Sequence, residues 1–176
     1  TSHRVNDNPK HSSAPNKAVI FHIVFLLQMG MDFKFCFHKC PFPMSLSVFF
    51  CLGAFFLNKG KEFFGKGSPI VNFTDVFNNR WMTKETLKGL VEVTDKEKEL
   101  YGAKKNDVFF TRTSETQEEI GMTSVLLDDI EGCVFSGFVL RARPKTDLLL
   151  PKFCSYYFSS YSMRKDIVRY STFTTR

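Results

Sequence analysis

Three apolar segments in the second half of this 176-residue chain constrain its fold most strongly. Val108 to Phe110 follows a polar turn, and Ser124 to Leu127 comes next. Cys133 to Arg143 is a longer run that contains the small pair Ser136-Gly137. Apolar runs bounded by turn-forming residues are typical of buried strands, and a glycine within a strand often marks a bulge or a close backbone approach. These segments predict a small twisted sheet.

Further elements surround these strands. Short strands are predicted at Pro69 to Phe73 and at Leu90 to Val93. A polar-aromatic turn is predicted at residues 75–81. Thr94 followed by Glu97 three residues later forms a capping box, which predicts a short helix from Asp95 to Leu100. Proline is favoured in the first turn of a helix, so a longer helix is predicted from Pro151 to Val168. The expected fold is mixed α/β, with a small twisted sheet and peripheral helices.

The order of the motifs resembles the target recognition domain of type I restriction–modification specificity subunits. The matching segments are Ser68–Val76, Asn106–Ser114, Val134–Arg141 and the closing helix Pro151–Val168. The resemblance covers the chain from about Lys59 to Arg176. Asn106 stands where the family pattern has glycine, which puts the conformation of the turn before Val108 in question.

The resemblance implies sequence-specific recognition of double-stranded DNA, in which one domain reads one half of a split target. It also implies that the chain is not an enzyme by itself and holds no cofactor. S-adenosylmethionine, ATP and Mg²⁺ are then expected in partner methyltransferase (modification) and restriction subunits, which methylate and cleave DNA in the cytoplasm. Specificity subunits of this family carry two such domains separated by long helices. We therefore expect residues 58–176 to be a single, C-terminally truncated domain.

Candidate DNA contacts follow from three polar segments. In the first, Arg112 is flanked by hydroxyls after a predicted strand, where it could bind guanine or phosphate, or instead pair with Glu115, Glu118 or Glu119. The second segment immediately precedes Trp81, and its Asn and Arg side chains are suited to hydrogen bonds with base edges. Trp81 itself could face DNA or pack inward. In the third segment, cationic residues occupy alternate positions of a predicted strand and so share one face. That face could be solvated, or it could contact a phosphate backbone. The residues are Arg112, Thr113 and Ser114; Asn78, Asn79 and Arg80; and Arg141, Arg143 and Lys145.

Residues 1–57 differ from the rest of the chain. Thr1 to Lys17 is polar, whereas Ala18 to Met29 and Leu46 to Leu57 are apolar runs too short to span a bilayer. Three interpretations remain open for this Phe-rich segment: a signal peptide, a pair of buried core elements, or sequence not native to the family and joined near Asn58. The alternative function is accordingly a membrane-associated or secreted protein built on residues 18–57. Fractionation would distinguish it from a DNA-reading subunit.

The residue types and their spacing argue against metal binding, nucleotide hydrolysis and acid–base catalysis. Cys36, His38, Cys40 and Cys51 are potential zinc ligands, but their spacing favours scattered cysteines over a metal site, and five irregularly spaced cysteines fit a reducing cytoplasm. Gly67 stands where a phosphate-binding loop would need Ser or Thr, which disfavours nucleotide hydrolysis. All four histidines lie at or before position 38, so the region that resembles the family has no histidine for acid–base chemistry.

The positive charge is unevenly distributed along the chain. The net charge is +6, yet residues 69–176 contain sixteen Lys/Arg and fifteen Asp/Glu. A DNA-facing patch must therefore arise from charge segregation within a nearly neutral domain.

Overall fold

The computed structural model describes residues 19–22, 50–53, 57–145, 147 and 149–175. It shows a mixed α/β fold with small sheets and helices on their faces, which confirms the predicted class. Its strands are β1 (Val19–His22), β2 (Phe50–Gly53), β3 (Phe64–Val71), β4 (Trp81–Met82), β5 (Leu90–Val91), β6 (Val108–Thr111), β7 (Thr123–Leu126), β8 (Val134–Phe135), β9 (Val139–Pro144) and β10 (Thr172–Thr175). Its helices are a 3-10 turn (Lys61–Phe63), α1 (Phe73–Asn78), α2 (Asp95–Tyr101), α3 (Pro151–Phe158) and α4 (Tyr161–Tyr170).

The largest sheet has five strands in the order β2-β9-β6-β7-β4. β4 runs parallel to β7, and the other neighbours are antiparallel. Thr111 is opposite Val139 on β9, and Phe110 is opposite Thr123 on β7. The C-terminal end of β6 and the N-terminal ends of β4, β7 and β9 therefore lie at one end of the sheet. We name this the Thr111 end and the opposite one the Val108 end.

A second sheet has the order β5-β3-β8, with β3 parallel to β8 and antiparallel to β5. The predicted single strand Cys133–Arg143 is thus wrong in one respect, because its two halves belong to different sheets. Gly137 is not in a bulge of one strand but in the turn between the sheets, where Val139 N donates to Ser136 O and Gly137 N donates to Leu57 O. Residues 134–135 pair with β3 in one sheet, and β9 pairs with β6 in the other, so the chain passes between the sheets at this turn.

The N-terminal segment contributes one strand to a separate two-stranded sheet and one to the five-stranded sheet. β1 pairs with β10, and β2 forms the edge of the five-stranded sheet beside β9. The division at residues 57 and 58 stays a prediction. Cys36, His38 and Cys40, for which a zinc site was disfavoured, lie outside the described residues, like most of the apolar 18–57 segment and the side chain of Cys51. Within the residues that the structure describes, no helix has the length and apolar character needed to cross a membrane.

Both faces of β6 are buried, which explains its uninterrupted apolar sequence. Phe110 packs edge-on against Phe158 of α3, with 5.0 Å between ring centroids. Phe109 points to the other face and lies 5.9 Å from Phe135, measured between centroids. The core therefore has one layer under α3 and α4 and another that includes β8 and α1.

Local sequence signals explain most helix boundaries. The capping box of α2 is confirmed, since Glu97 N donates to Thr94 Oγ1 and Thr94 N donates to a Glu97 carboxylate oxygen. Residues 75–79, predicted as a turn, instead belong largely to helix α1, because Asp75 accepts from Asn72 N and caps a first turn there. The predicted helix Pro151–Val168 is two helices, since Ser160 adopts an extended backbone and starts α4 anew.

Asn106 adopts the left-handed conformation, with φ of 72°. Asparagine tolerates this region better than most residues with a side chain. The turn before Val108 therefore has a backbone that suits glycine, despite the departure from the family pattern.

Candidate nucleic-acid interface

The nine predicted DNA contacts separate into two groups along the five-stranded sheet. Six lie at the Thr111 end, on the last residue of α1, in the link from α1 to β4, and in the loop after β6. They are Asn78, Asn79, Arg80, Arg112, Thr113 and Ser114. Arg141, Arg143 and Lys145 instead follow β9 toward the Val108 end. At about 3.3 Å per residue, Lys145 is about 20 Å along the strand from Val139. The second group therefore extends from the middle of β9 to the opposite end of the sheet.

A cleft of about 280 Å³ opens at the Thr111 end. Its lining comes from three segments: Phe77, Asn78, Asn79, Arg80, Met122, Thr123 and Ser159. Asn79 is engaged internally, because its Nδ2 donates to Asp75 O at 2.8 Å and terminates α1. Asn78 is exposed at the last position of that helix. Its amide has both donors and an acceptor, as adenine recognition requires.

Arg80 and three further side chains form a row in which two neighbouring rings lie between two cations. The Arg80 guanidinium lies 4.7 Å from the Tyr156 ring centroid, and the Tyr156 and Trp81 centroids are 6.2 Å apart. Lys152 Nζ lies 5.3 Å from the Trp81 centroid. We call these four residues the cation–aromatic ladder. Ser155 Oγ donates to Arg80 O at 2.8 Å and so joins α3 to the start of β4.

The aromatic residues of α3, and Tyr161 at the start of α4, divide between core and surface. The sequence favoured core or subunit packing for all of them. Phe158 is buried and Tyr157 half-buried, but Phe153, Tyr156 and Tyr161 are exposed. Trp81 is half-buried, with its ring between Tyr156 and Lys152. Subunit packing by the exposed rings stays a prediction.

Arg112 is half-buried and holds the turn between the two sheets. Its Nη1 donates to Gly137 O at 3.2 Å, and its backbone N donates to Phe138 O at 3.0 Å. Burial lowers the pKa of the Arg112 guanidinium, although arginine stays protonated near neutral pH. Phe138, at the tip of this turn, is 64% exposed. The side chain predicted to read bases therefore also positions an exposed aromatic ring, and its contact with DNA stays a prediction.

The hydroxyls of this loop serve its own conformation. Ser114 is buried, its Oγ donates to Glu119 Oε2, and it accepts from Thr116 N, both at 3.2 Å. Thr111 Oγ1 accepts from Met122 N at 2.9 Å and donates to Glu119 O. Thr113, which lies between Thr111 and Ser114 in the sequence, is half-buried. Contacts from Thr113 and Ser114 to DNA stay predictions.

Arg141 and Arg143 share a face of β9, as their alternation indicated, and both donate to Gly102 O, at 2.6 and 2.9 Å. Arg143 also binds the fully buried Asp107 through two hydrogen bonds of 2.8 Å, and Arg141 lies over the Phe135 ring. These arginines therefore join β9 to the end of α2 and to the turn before β6. Lys145 is exposed beyond the strand.

Three residues at the Thr111 end were not among the predicted contacts: Phe138, Lys152 and Tyr156. Phe138 was visible only as part of an apolar run, and Tyr156 as part of an aromatic stripe. Which of these side chains reaches the surface depends on how the turn and α3 pack on the sheet. No group of three or more His, Cys, Asp or Glu that could hold a metal ion occurs among the described residues.

Comparisons with known proteins give little further guidance. No protein-family model matches the chain, and no curated protein matches it. It is similar to a chain of a solved structure that concerns complex assembly and conformational transition of the type I restriction–modification system. The TM-score is 0.45 and the identity 15%, over 86% of this chain and 39% of that one. This chain therefore spans well under half of the other, and a similarity of this size does not establish family membership.

Proposed function

We propose that this chain is a DNA-specificity component of a type I restriction–modification system. Its domain would read one half of a split duplex target and direct methylation and cleavage by partner methyltransferase and restriction subunits. The proposal rests on the family-like order of sequence motifs. The structural observation that carries it is the convergence of separate polar loops at the Thr111 end of the sheet.

Two exposed cations, Arg80 and Lys152, also support the proposal. Arg143 is neutralised internally by Asp107 near the Val108 end. By contrast, Arg80 and Lys152 have no carboxylate within ion-pair distance among the described residues, and both are exposed. Exposed cations without a carboxylate partner can attract a polyanion even in a domain whose charges are almost balanced.

Within this proposal the chain recognises DNA and leaves the reaction to its partners. Methyl transfer from S-adenosylmethionine and cleavage driven by ATP and Mg²⁺ would belong to the partner subunits in the cytoplasm. The described thiols are poor nucleophiles, because burial raises the pKa of Cys133 to about 12 and that of Cys154 to about 11. They are therefore poor candidates for catalytic groups.

The test is selection of bound duplexes from a random pool by the purified 176-residue chain, followed by sequencing. The diagnostic variant is Asn78→Ala, because Asn78 is exposed in the cleft and its removal leaves the core intact. The matched control is Thr74→Ala, an exposed polar residue on the same helix that does not line the cleft. Circular dichroism would establish that all three proteins are folded.

We expect the wild type and Thr74→Ala to enrich one short motif and Asn78→Ala to relax it at one or two positions. Loss of a good bidentate contact corresponds to about 1–3 kcal/mol of discrimination against the wrong base. A folded wild-type chain that enriches no motif would refute independent sequence reading. A motif that is identical in all three proteins would place base recognition elsewhere on the chain.

A further inference from the structure

The cation–aromatic ladder is a surface built from two separate elements. Arg80 and Trp81 come from the start of β4, and Lys152 and Tyr156 come from α3. The buried Ser155 hydroxyl, which donates to Arg80 O at 2.8 Å, fixes these elements relative to each other. The two cations thus lie on aromatic rings whose elements, β4 and α3, are joined by this hydrogen bond.

The positions of the cations decide what the rings can do. The Arg80 guanidinium lies over the Tyr156 ring and the Lys152 ammonium over the Trp81 ring. A face covered by a cation cannot at the same time stack on a base. The rings are therefore better suited to orient the cations, and the cations remain exposed without a carboxylate partner among the described residues.

We propose that the ladder is a contact surface for the phosphate backbone of DNA, in which Arg80 and Lys152 bind phosphates and Tyr156 and Trp81 position them. This inference rests on the proposed function and deepens it, because it extends the interface from the loops onto α3. It also assigns Arg80 to backbone contact and leaves base reading to neighbours such as Asn78. The ligand is an extended polyanion, which matches two cations at the ends of a row of rings, one of which, Arg80, also lines the cleft.

The experiment measures equilibrium binding of the full chain to two duplexes of equal length, one with the selected motif and one scrambled, between 50 and 200 mM NaCl. If selection gives no motif, two unrelated scrambled duplexes are used. The variants are Lys152→Gln and Arg80→Gln, with Lys96→Gln on α2 as the control for loss of an exposed positive charge. Tyr156→Leu removes one ring, and Tyr156→Phe retains it.

Each phosphate contact contributes about 0.9 to the slope of log affinity against log salt. Lys152→Gln and Arg80→Gln should each lower that slope by about one, so that the wild type loses about threefold more affinity than either variant across this salt range. The loss should be equal for both duplexes, and the selected motif should not change. Tyr156→Leu should weaken binding about two- to fivefold, and Tyr156→Phe should bind like the wild type.

The outcomes separate this inference from the proposed function. The wild type could enrich a motif while Lys152→Gln and Arg80→Gln show the same salt dependence of affinity as the control Lys96→Gln. In that case the phosphate surface is refuted and the proposed function stands. If the slope falls as expected but no motif is enriched, the phosphate surface stands and sequence reading is refuted. A wild-type chain that binds neither duplex refutes both. A loss confined to the motif duplex also refutes the inference, because it makes the ladder a base-reading surface.

Discussion

Replacing Arg143 with alanine should destabilise the fold strongly, although this residue has the sequence context of a DNA contact. Its guanidinium holds Asp107 with two hydrogen bonds of 2.8 Å, and the Asp107 side chain is only 1% exposed. Without Arg143 the carboxylate would keep the 2.8 Å hydrogen bond from Lys104 N but would lose its cation. Removal of one partner from a buried ion pair costs about 3–5 kcal/mol of unfolding free energy.

The reverse variant, Asp107→Ala, should cost less, about 2–3 kcal/mol. Arg143 is 29% exposed and still donates to Gly102 O, so water and that carbonyl can satisfy part of the guanidinium. Arg143→Lys retains the charge without the two-pronged geometry and should fall between Arg143→Ala and the wild type. The double alanine variant should be more stable than the sum of the single losses predicts, since neither partner is then left without the other.

Urea unfolding followed by fluorescence and circular dichroism would measure these free energies. With an m-value of about 2 kcal/mol/M, Arg143→Ala should lower the midpoint by about 2 M. Lys104→Ala is the control, because its exposed side chain is removed while its backbone N–H remains bound to Asp107. It should change stability by no more than about 0.5 kcal/mol. Losses below about 1 kcal/mol in both single variants, with additive effects in the double variant, would refute the structural role of this pair.

Three further predictions concern the turn before β6, the thiols and the cap of α2. Asn106→Ala should lower the free energy of unfolding by about 1–2 kcal/mol and Asn106→Gly should leave it nearly unchanged, because φ is 72° there; equal losses in urea unfolding would contradict this. Cys133 and Cys154 should resist iodoacetamide at pH 8 in the native protein and react in urea, because burial raises both pKa values; peptide mapping by mass spectrometry would detect premature labelling. The pKa of Glu97 is lowered, first by the hydrogen bond from Lys59 and then by that from Thr94 N, so its stabilisation is present above the ordinary carboxyl pKa and is lost as pH falls through the lowered value. Glu97→Gln should therefore be about 1 kcal/mol less stable than the wild type at pH 7 and equal to it in acid, and a pH-independent difference in unfolding free energy would contradict this assignment.

Sequence patterns predicted the features that depend on near neighbours. The capping box of α2 and the central strands β6 and β7 follow directly from short-range spacing, and all are present. The patterns could not predict that residues 133–143 divide between two sheets, because that depends on pairing with β3 and β6, which are distant in sequence. They also missed the break between α3 and α4, where two serines interrupt an otherwise helical sequence.

The candidate site was predictable to a similar extent. The polar residues after β6 were correctly expected in a loop, whereas Asn78, predicted in a turn, ends helix α1. Strand alternation correctly placed Arg141 and Arg143 on one face. Alternation does not show what that face contacts, however. Only the fold brings Gly102 and Asp107 against it, and only the packing of α3 brings Lys152 and Tyr156 beside Arg80.

The same residue type therefore has opposite roles at the two ends of one sheet. Near the Val108 end, the arginines have acceptors within the protein, including the buried Asp107 carboxylate, and their charge contributes to holding β9 against α2. At the Thr111 end, Arg80 rests on an aromatic ring, which orients a guanidinium but leaves its net charge exposed. Total charge cannot distinguish these cases, because each arginine counts equally in it. A nearly neutral domain can thus present individual cations such as Arg80 to DNA, while carboxylates such as Asp107 neutralise cations elsewhere.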